Sequence, residues 1–224
     1  MLKAVIFDMD GVLIDSEPVH YQANKEIMEE FGYSLDYEYY KGFIGSTLTH
    51  MWETLKKKYD IKKDIKELNA MSEKYSRDVV KRDGYINIPG ACELIKMFNK
   101  NGIKLAVASS SSAYIIEDVL NSLCIKEDFD AVVSGENIKN PKPAPDIFLA
   151  AAEKIGVSPE ECIVIEDSAN GVNGAKKAGM TAVGYINPNS GDQNLSNADY
   201  LVESFEGLEM SFFEMVYCHA NNEP

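Results

Sequence analysis

The sequence predicts an α/β protein: a parallel sheet core with helices on both faces, interrupted after its first strand by an inserted α-helical domain. Three observations carry this. Short, nearly unbroken apolar runs alternate with amphipathic stretches from residue 86 onward, the pattern of strands buried on both faces. One more such run, "KAVIFD", opens the chain. Between them, residues 16–85 show helical spacing and no clear strand.

The elements follow in order. "KAVIFD" is the first strand. In the insertion, "EPVHYQANKEIMEEFG", "TLTHMWETLKKKYD" and "IKELNAMSEKYSRDVVKR" read as helices. "PGACELIKMFNKNG" has Pro89 near a first helical turn and Gly102 as a stop. "IKLAVAS" is a strand, "SAYIIEDVLNSL" a helix and "FDAVVSG" a strand. "APDIFLAAAEKIG" is a helix, "CIVIED" a strand, "ANGVNGAKKAG" a short helix and "MTAVGY" a strand, with "YLVES" as a further one. The C-terminal "FFEMVYCHANNEP" suits a terminal helix or a partner contact. Residues 1–15 and 86–224 thus form a Rossmann-like core, and 16–85 the helical insertion.

The formal net charge is −14, which argues against nucleic acid or anionic membrane as a partner. Residues 15–87 hold 12 Lys/Arg against 14 Asp/Glu; the remainder holds 10 against 22. Both arginines, Arg77 and Arg82, lie in the insertion. An anion held by the core must therefore meet lysine, backbone amides or a metal. No run is long enough to span a bilayer, and Asp8 and Asp10 interrupt the only signal-like segment. A cytoplasmic monomer is expected. Cys92, Cys124, Cys162 and Cys218 form no CxxC pair and are expected as buried, reduced thiols.

In open parallel sheets, ligands bind beyond the carboxyl ends of the strands. The residues there are polar. The first strand ends in Asp8 and Asp10, "LAVAS" in Ser109, and "CIVIED" in Glu166 and Asp167, while the loop "NPKPAPD" supplies Lys142. Alternate residues of an extended strand point the same way, about 6–7 Å apart. Asp8 and Asp10 are therefore expected to face one region, joined by Asp167. Carboxylates this close raise one another's pKa unless a cation intervenes, and Mg²⁺, a hard ion that prefers oxygen, suits them. A single such acid is commonly a turn or helix cap. Acids on two strands together with Lys142 exceed what capping explains.

"DMDGVLIDS", "VASSSS", "KPAPDIF" and "VIEDSANGV" resemble the four signature segments of the haloacid dehalogenase superfamily. The resemblance is closest to the β-phosphoglucomutase-like phosphatases, which carry a helical cap after the first strand. It implies that Asp8 is the nucleophile that becomes an aspartyl phosphate, and that Asp10 is the general acid/base. It implies Mg²⁺ held by Asp8, the Asp10 backbone carbonyl and Asp167, with Glu166 beside them. Ser109 and Ser110 would bind phosphate, and Lys142 would neutralise Asp8 and the transferring group. Pro141 and Pro143 restrict the backbone around Lys142, and Gly11 leaves room for backbone amides near the phosphate. The substrate implied is a small phosphorylated metabolite, a sugar phosphate. Asp10 argues against a dehalogenase, and no residue marks a buried, imine-forming lysine.

In the insertion, His20 near the hinge and Ser46 and Thr47 in "KGFIGSTLTHMW" are candidate substrate contacts. A mutase pattern would place an arginine soon after this glycine to grip a second phosphate. Hydroxyls stand there instead, with Lys41 as the nearest cation, which favours hydrolysis over the alternative, a β-phosphoglucomutase. The lysine run "LKKKYDIKKDIKE" reads as a solvated face. A receiver domain, half as long and with its acceptor on a later strand, and a silent binding module fit less well.

Overall fold

The computed structural model describes residues 1–221. The chain divides into two compact units. One comprises Met1–Ile14, Asn87–Asn187 and the segment from Asp192 on; the other comprises Asp15–Ile86 and Pro188–Gly191.

Strand β1 (Ala4–Phe7) opens the first unit. The second unit is helical: α1 (Glu17–Glu30), α2 (Tyr37–Lys41), α3 (Leu48–Tyr59) and α4 (Ile65–Asp83). The sequence marks most of these starts. Asp36 caps α2 and Thr47 caps α3 through their side chains, and Asp64 and Glu67 form a capping box on α4, which satisfies first-turn N–H groups. The short α2 was not evident from periodicity, because five residues hold too few apolar positions. Trp52 lies at the centre of this unit, fully buried among Ile27, Met28, Leu35, Met51, Leu55 and Leu68. Its indole N–H donates to Ser72 Oγ at 2.8 Å, and Ser72 donates to Asn24 Oδ1 at 2.6 Å. The lysine run is mainly exposed. Lys62 pairs with Asp60, and Lys58 Nζ lies 3.4 Å from the Tyr39 ring centroid.

The first unit continues with α5 (Ala91–Lys100), β2 (Lys104–Ser109), α6 (Ala113–Ser122), β3 (Ala131–Ser134), α7 (Asp146–Ile155), β4 (Cys162–Glu166), α8 (Ala169–Lys177), β5 (Thr181–Tyr185), β6 (Tyr200–Val202) and α9 (Met210–Ala220). The six strands are parallel in the order β3-β2-β1-β4-β5-β6. This doubly wound order reverses direction beside β1, where such sheets hold ligands. Alternate residues of β1 serve opposite faces. Ala4 and Ile6 join Ala106, Ala108 and Val164 against Ile147, Phe148 and Ala151 of α7 and Val172 of α8. Phe7, from the other face, meets Phe98 of α5 edge-on at 6.1 Å between centroids, and Phe98 meets Phe213 of α9 at 4.7 Å. The C-terminal segment is thus a helix that buries Phe213, Val216 and Tyr217; its last residues, 222–224, lie outside the described residues.

The cysteines correct one expectation. All four are free, but only Cys162 is buried; Cys92 and Cys218 are half-buried and Cys124 is exposed. Cys124 follows α6 at φ 56°, the left-handed position that ends many helices. There its side chain faces outward despite its apolar neighbours.

Candidate active site

Strand register sets the first layer of the site. Phe7 is level with Val107 of β2 and Ile165 of β4. One step further along, Asp8, Ala108 and Glu166 therefore share a level at the carboxyl end of the sheet. The Asp8 N–H donates to the Ile165 carbonyl at 3.0 Å, so the backbone of Asp8 is tied to β4.

Lys142 enters from the loop ahead of α7. Its Nζ donates to Asp8 Oδ1 and Glu166 Oε1, both at 2.7 Å, and to the Ala108 carbonyl at 3.2 Å. All three ammonium protons thus have an acceptor at that shared level. The Lys142–Pro143 peptide bond is cis. Burial pushes the Asp8 carboxyl well above the ordinary aspartate range; Lys142 opposes this, while Glu166, Asp167 and Asp10 reinforce it. Burial alone would lower Lys142, but Asp8 and Glu166 outweigh it and hold the ammonium above the ordinary lysine range. The Lys142 charge is the firmer of the two. It touches two carboxylates, whereas Asp8 touches one cation and feels three further acids.

Asp10 lies beyond the end of the strand, yet near enough to Asp8 to push its carboxyl pKa up. Strand β1 ends at Phe7, and the chain turns at once: Val12, Leu13 and Ile14 all donate to the Met9 carbonyl, and Gly11 N–H donates to Ile14 O at 2.7 Å. This turn, rather than a two-residue strand repeat, sets the direction of Asp10. Its Oδ2 accepts from Ser111 Oγ at 2.8 Å and from Ser109 Oγ at 3.5 Å. Ser109 also accepts from the Ser111 N–H at 3.0 Å. The two first-strand acids therefore have different partners, lysine for Asp8 and hydroxyls for Asp10. Ser111 was missed in the sequence because it stands in a run of four serines that spacing alone cannot rank.

Asp8, Glu166 and Asp167 each offer a carboxylate oxygen within 4.8 Å of the others, and all three residues are buried. Asp10 is not in that group. Two of these carboxylates share the Lys142 cation, so the cluster carries excess negative charge, and its donors are all oxygen. That set suits a small hard cation. Glu166 is fully buried, and both its oxygens have partners: Oε1 with Lys142, Oε2 with the Ser168 N–H at 2.8 Å and Oγ at 2.9 Å. Glu166 thus serves first to hold Lys142. Gly11, at φ +79°, faces Asp167: a Cβ there would lie 1.9 Å from Asp167 Oδ2. Its expected role was room for backbone amides; the structure adds room for an acid.

The remaining sequence candidates have local settings. Ser110 is exposed, and its Cα lies 3.0 Å from where a Cβ on Gly135 would stand. In the helical unit, His20 is exposed, with Nδ1 3.4 Å from Ser76 Oγ. Ser46 Oγ donates to the Phe43 carbonyl at 2.6 Å, and Thr47 Oγ1 accepts from His50 N–H at 3.1 Å.

A doubly wound sheet with an aspartate pair after β1, a lysine bridging β1 to β4 and a carboxylate cluster defines a class of hydrolase. The chain belongs to that class, the haloacid dehalogenase-like hydrolases, whose family model matches residues 5–185. Its relatives place it in the β-phosphoglucomutase-like branch. It is 32% identical over 186 residues to the phosphorylated carbohydrates phosphatase of Thermotoga maritima, covering 81% of this chain and 84% of that one. It is 33% identical over 189 residues to the β-phosphoglucomutase of Bacillus subtilis, covering 82% and 83%. The crystal structure of β-phosphoglucomutase from Clostridium difficile matches with a TM-score of 0.76 and 28% identity, over 99% of this chain and 100% of that one.

Proposed function

We propose that this protein is a Mg²⁺-dependent phosphatase of a small phosphorylated metabolite, a sugar phosphate, acting through an aspartyl phosphate on Asp8. The observation that carries this reading is the separation of partners within the acid pair. Asp8 is anchored on Lys142 at 2.7 Å, and Asp10 on Ser111 at 2.8 Å.

Asp8 attacks phosphorus through a carboxylate oxygen, and the ester P–O bond breaks. Asp10 gives its proton to the departing alkoxide oxygen. In the second step Asp10 takes a proton from water, which attacks the acyl phosphate and releases phosphate and free Asp8. Lys142 stays charged throughout and offsets the anionic charge gathering at Asp8. Ser109, buried at the end of β2, offers a hydroxyl to phosphate, with Ser110 beside it. Asp8, Asp167 and the Asp10 carbonyl would hold Mg²⁺, with Glu166 supporting them. The bound ion would supply charge neutralisation for the phosphoryl group.

The helical unit, residues 16–85 as proposed from the sequence, acts in this reading as a cap whose His20, Ser46 and Thr47 contribute to substrate choice. Residues 41–52 hold no arginine to grip a second phosphate, which favours hydrolysis over mutase chemistry. The test is release of inorganic phosphate from a panel of phosphate esters with Mg²⁺ and with EDTA. Wild type should turn over at least one sugar phosphate only with metal, and Asp8→Asn should release none. Full turnover by Asp8→Asn would overturn the mechanism.

A further inference from the structure

One buried polar side chain reaches the loop of the acid pair from the far end of the chain. Asn187 stands two residues past the end of β5 and is 6% exposed. Its Nδ2 donates to the Gly11 carbonyl oxygen at 3.0 Å, across 176 positions of sequence. Its own N–H donates to the Tyr185 carbonyl at 3.0 Å, which ties it to the strand end. Gly11 is the residue after Asp10 and, as a glycine, has the least intrinsic backbone restraint of any residue. Three contacts supply the restraint instead: its N–H to Ile14 O at 2.7 Å, its Cα side against Asp167, and its carbonyl on Asn187. The Gly11 backbone thus anchors the turn whose preceding residue, Asp10, meets Ser111 through its carboxyl.

We propose that Asn187 is a positioning residue: by fixing the Gly11 peptide, it holds the Asp10 carboxyl where the leaving oxygen is protonated. This rests on the reading of Asp10 as general acid. Asn187 touches neither substrate nor metal in this role. Its effect must therefore follow the need for a proton. An alkyl leaving group needs one, and p-nitrophenolate does not.

The experiment measures the first turnover, with Mg²⁺ present, on glycerol 2-phosphate and on p-nitrophenyl phosphate. Asn187→Leu keeps the side chain's size and removes the donor. Asn187→Asp keeps the shape and turns an acceptor toward the carbonyl; it carries the test if the leucine variant does not fold. Either should slow the alkyl ester about 10–100-fold, the range for a misplaced proton-transfer group. The loss on p-nitrophenyl phosphate should be less than about threefold, since no proton transfer is needed there. KM should stay near wild type. Equal losses on both esters, or no loss, in a variant with a wild-type circular dichroism spectrum would overturn the assignment. Asp10→Asn separates the two readings. A leaving-group-dependent loss in Asp10→Asn but not in the Asn187 variants removes the Asn187 proposal alone. Equal losses in Asp10→Asn remove the acid role itself.

Discussion

Replacing Lys142 by methionine keeps most of the side-chain volume and deletes one charge. The structure sets the scale of the effect. Lys142 Nζ lies 2.7 Å from both Asp8 and Glu166, and the three side chains are at most 10% exposed, so solvent screens them little. At an effective dielectric near 20, unit charges at that distance attract by roughly 6 kcal/mol. Desolvation of the ions offsets most of that gain, but removing one partner leaves the other charges buried and uncompensated, at a net loss of about 3–5 kcal/mol. For a chain of this size that is a fall in Tm of about 6–20 °C. Asp8→Asn tests the same contact from the other side. The folded-state pKa of Asp8 lies above its ordinary value, through burial first and neighbouring acids next. Its ionised form therefore costs stability in full above that folded pKa; the cost shrinks as pH falls through it and is gone below the ordinary aspartate pKa. At neutral pH without metal, Asp8→Asn should change stability by less than about 1 kcal/mol or raise it, since a disfavoured charge is gone. Thermal melts followed by circular dichroism in EDTA measure both variants. An Asp8→Asn variant destabilised as much as Lys142→Met would refute the picture of excess negative charge around a single cation.

Two further outcomes follow from geometry. Gly11→Ala would place a methyl 1.9 Å from Asp167 Oδ2 at φ +79°; displacement of that acid should weaken Mg²⁺ about 10-fold or more by calorimetry, and unchanged affinity would remove Asp167 from the metal set. Ser72→Ala would leave the Trp52 N–H and Asn24 Oδ1 without their shared partner, at about 1–3 kcal/mol per orphaned group. Urea unfolding followed by the fluorescence of Trp52, the only tryptophan, reads that loss.

The acids of the site were visible in the sequence because each ends or follows an apolar run. A carboxylate just past a buried strand leaves few bland explanations when a second strand repeats it. Lys142 was visible as the cation in the loop ahead of a helix, within the segment "KPAPDIF" that carries the resemblance. Ser111 was not, since only the direction of the loop after β2 distinguishes it from its neighbours. Asn187 was not, because nothing in "YINPNSG" announces that its amide reaches residue 11. The exposed Cys124 was misjudged because apolar neighbours hide a left-handed turn.

By itself, then, the sequence determined the alternation of elements, the covered parallel sheet and the acidic rim at its carboxyl end. Those depend on local periodicity and on which residues can be buried. The tertiary structure decided which acids share a cation and which share a hydroxyl. Asp8 and Glu166 meet Lys142 because β1 and β4 pair in one register, and Asp10 meets Ser111 because the chain turns immediately after Asp8. Register and the meeting of Asp10 with Ser111 arise from contacts between segments more than 90 residues apart, and no local window of the chain contains them.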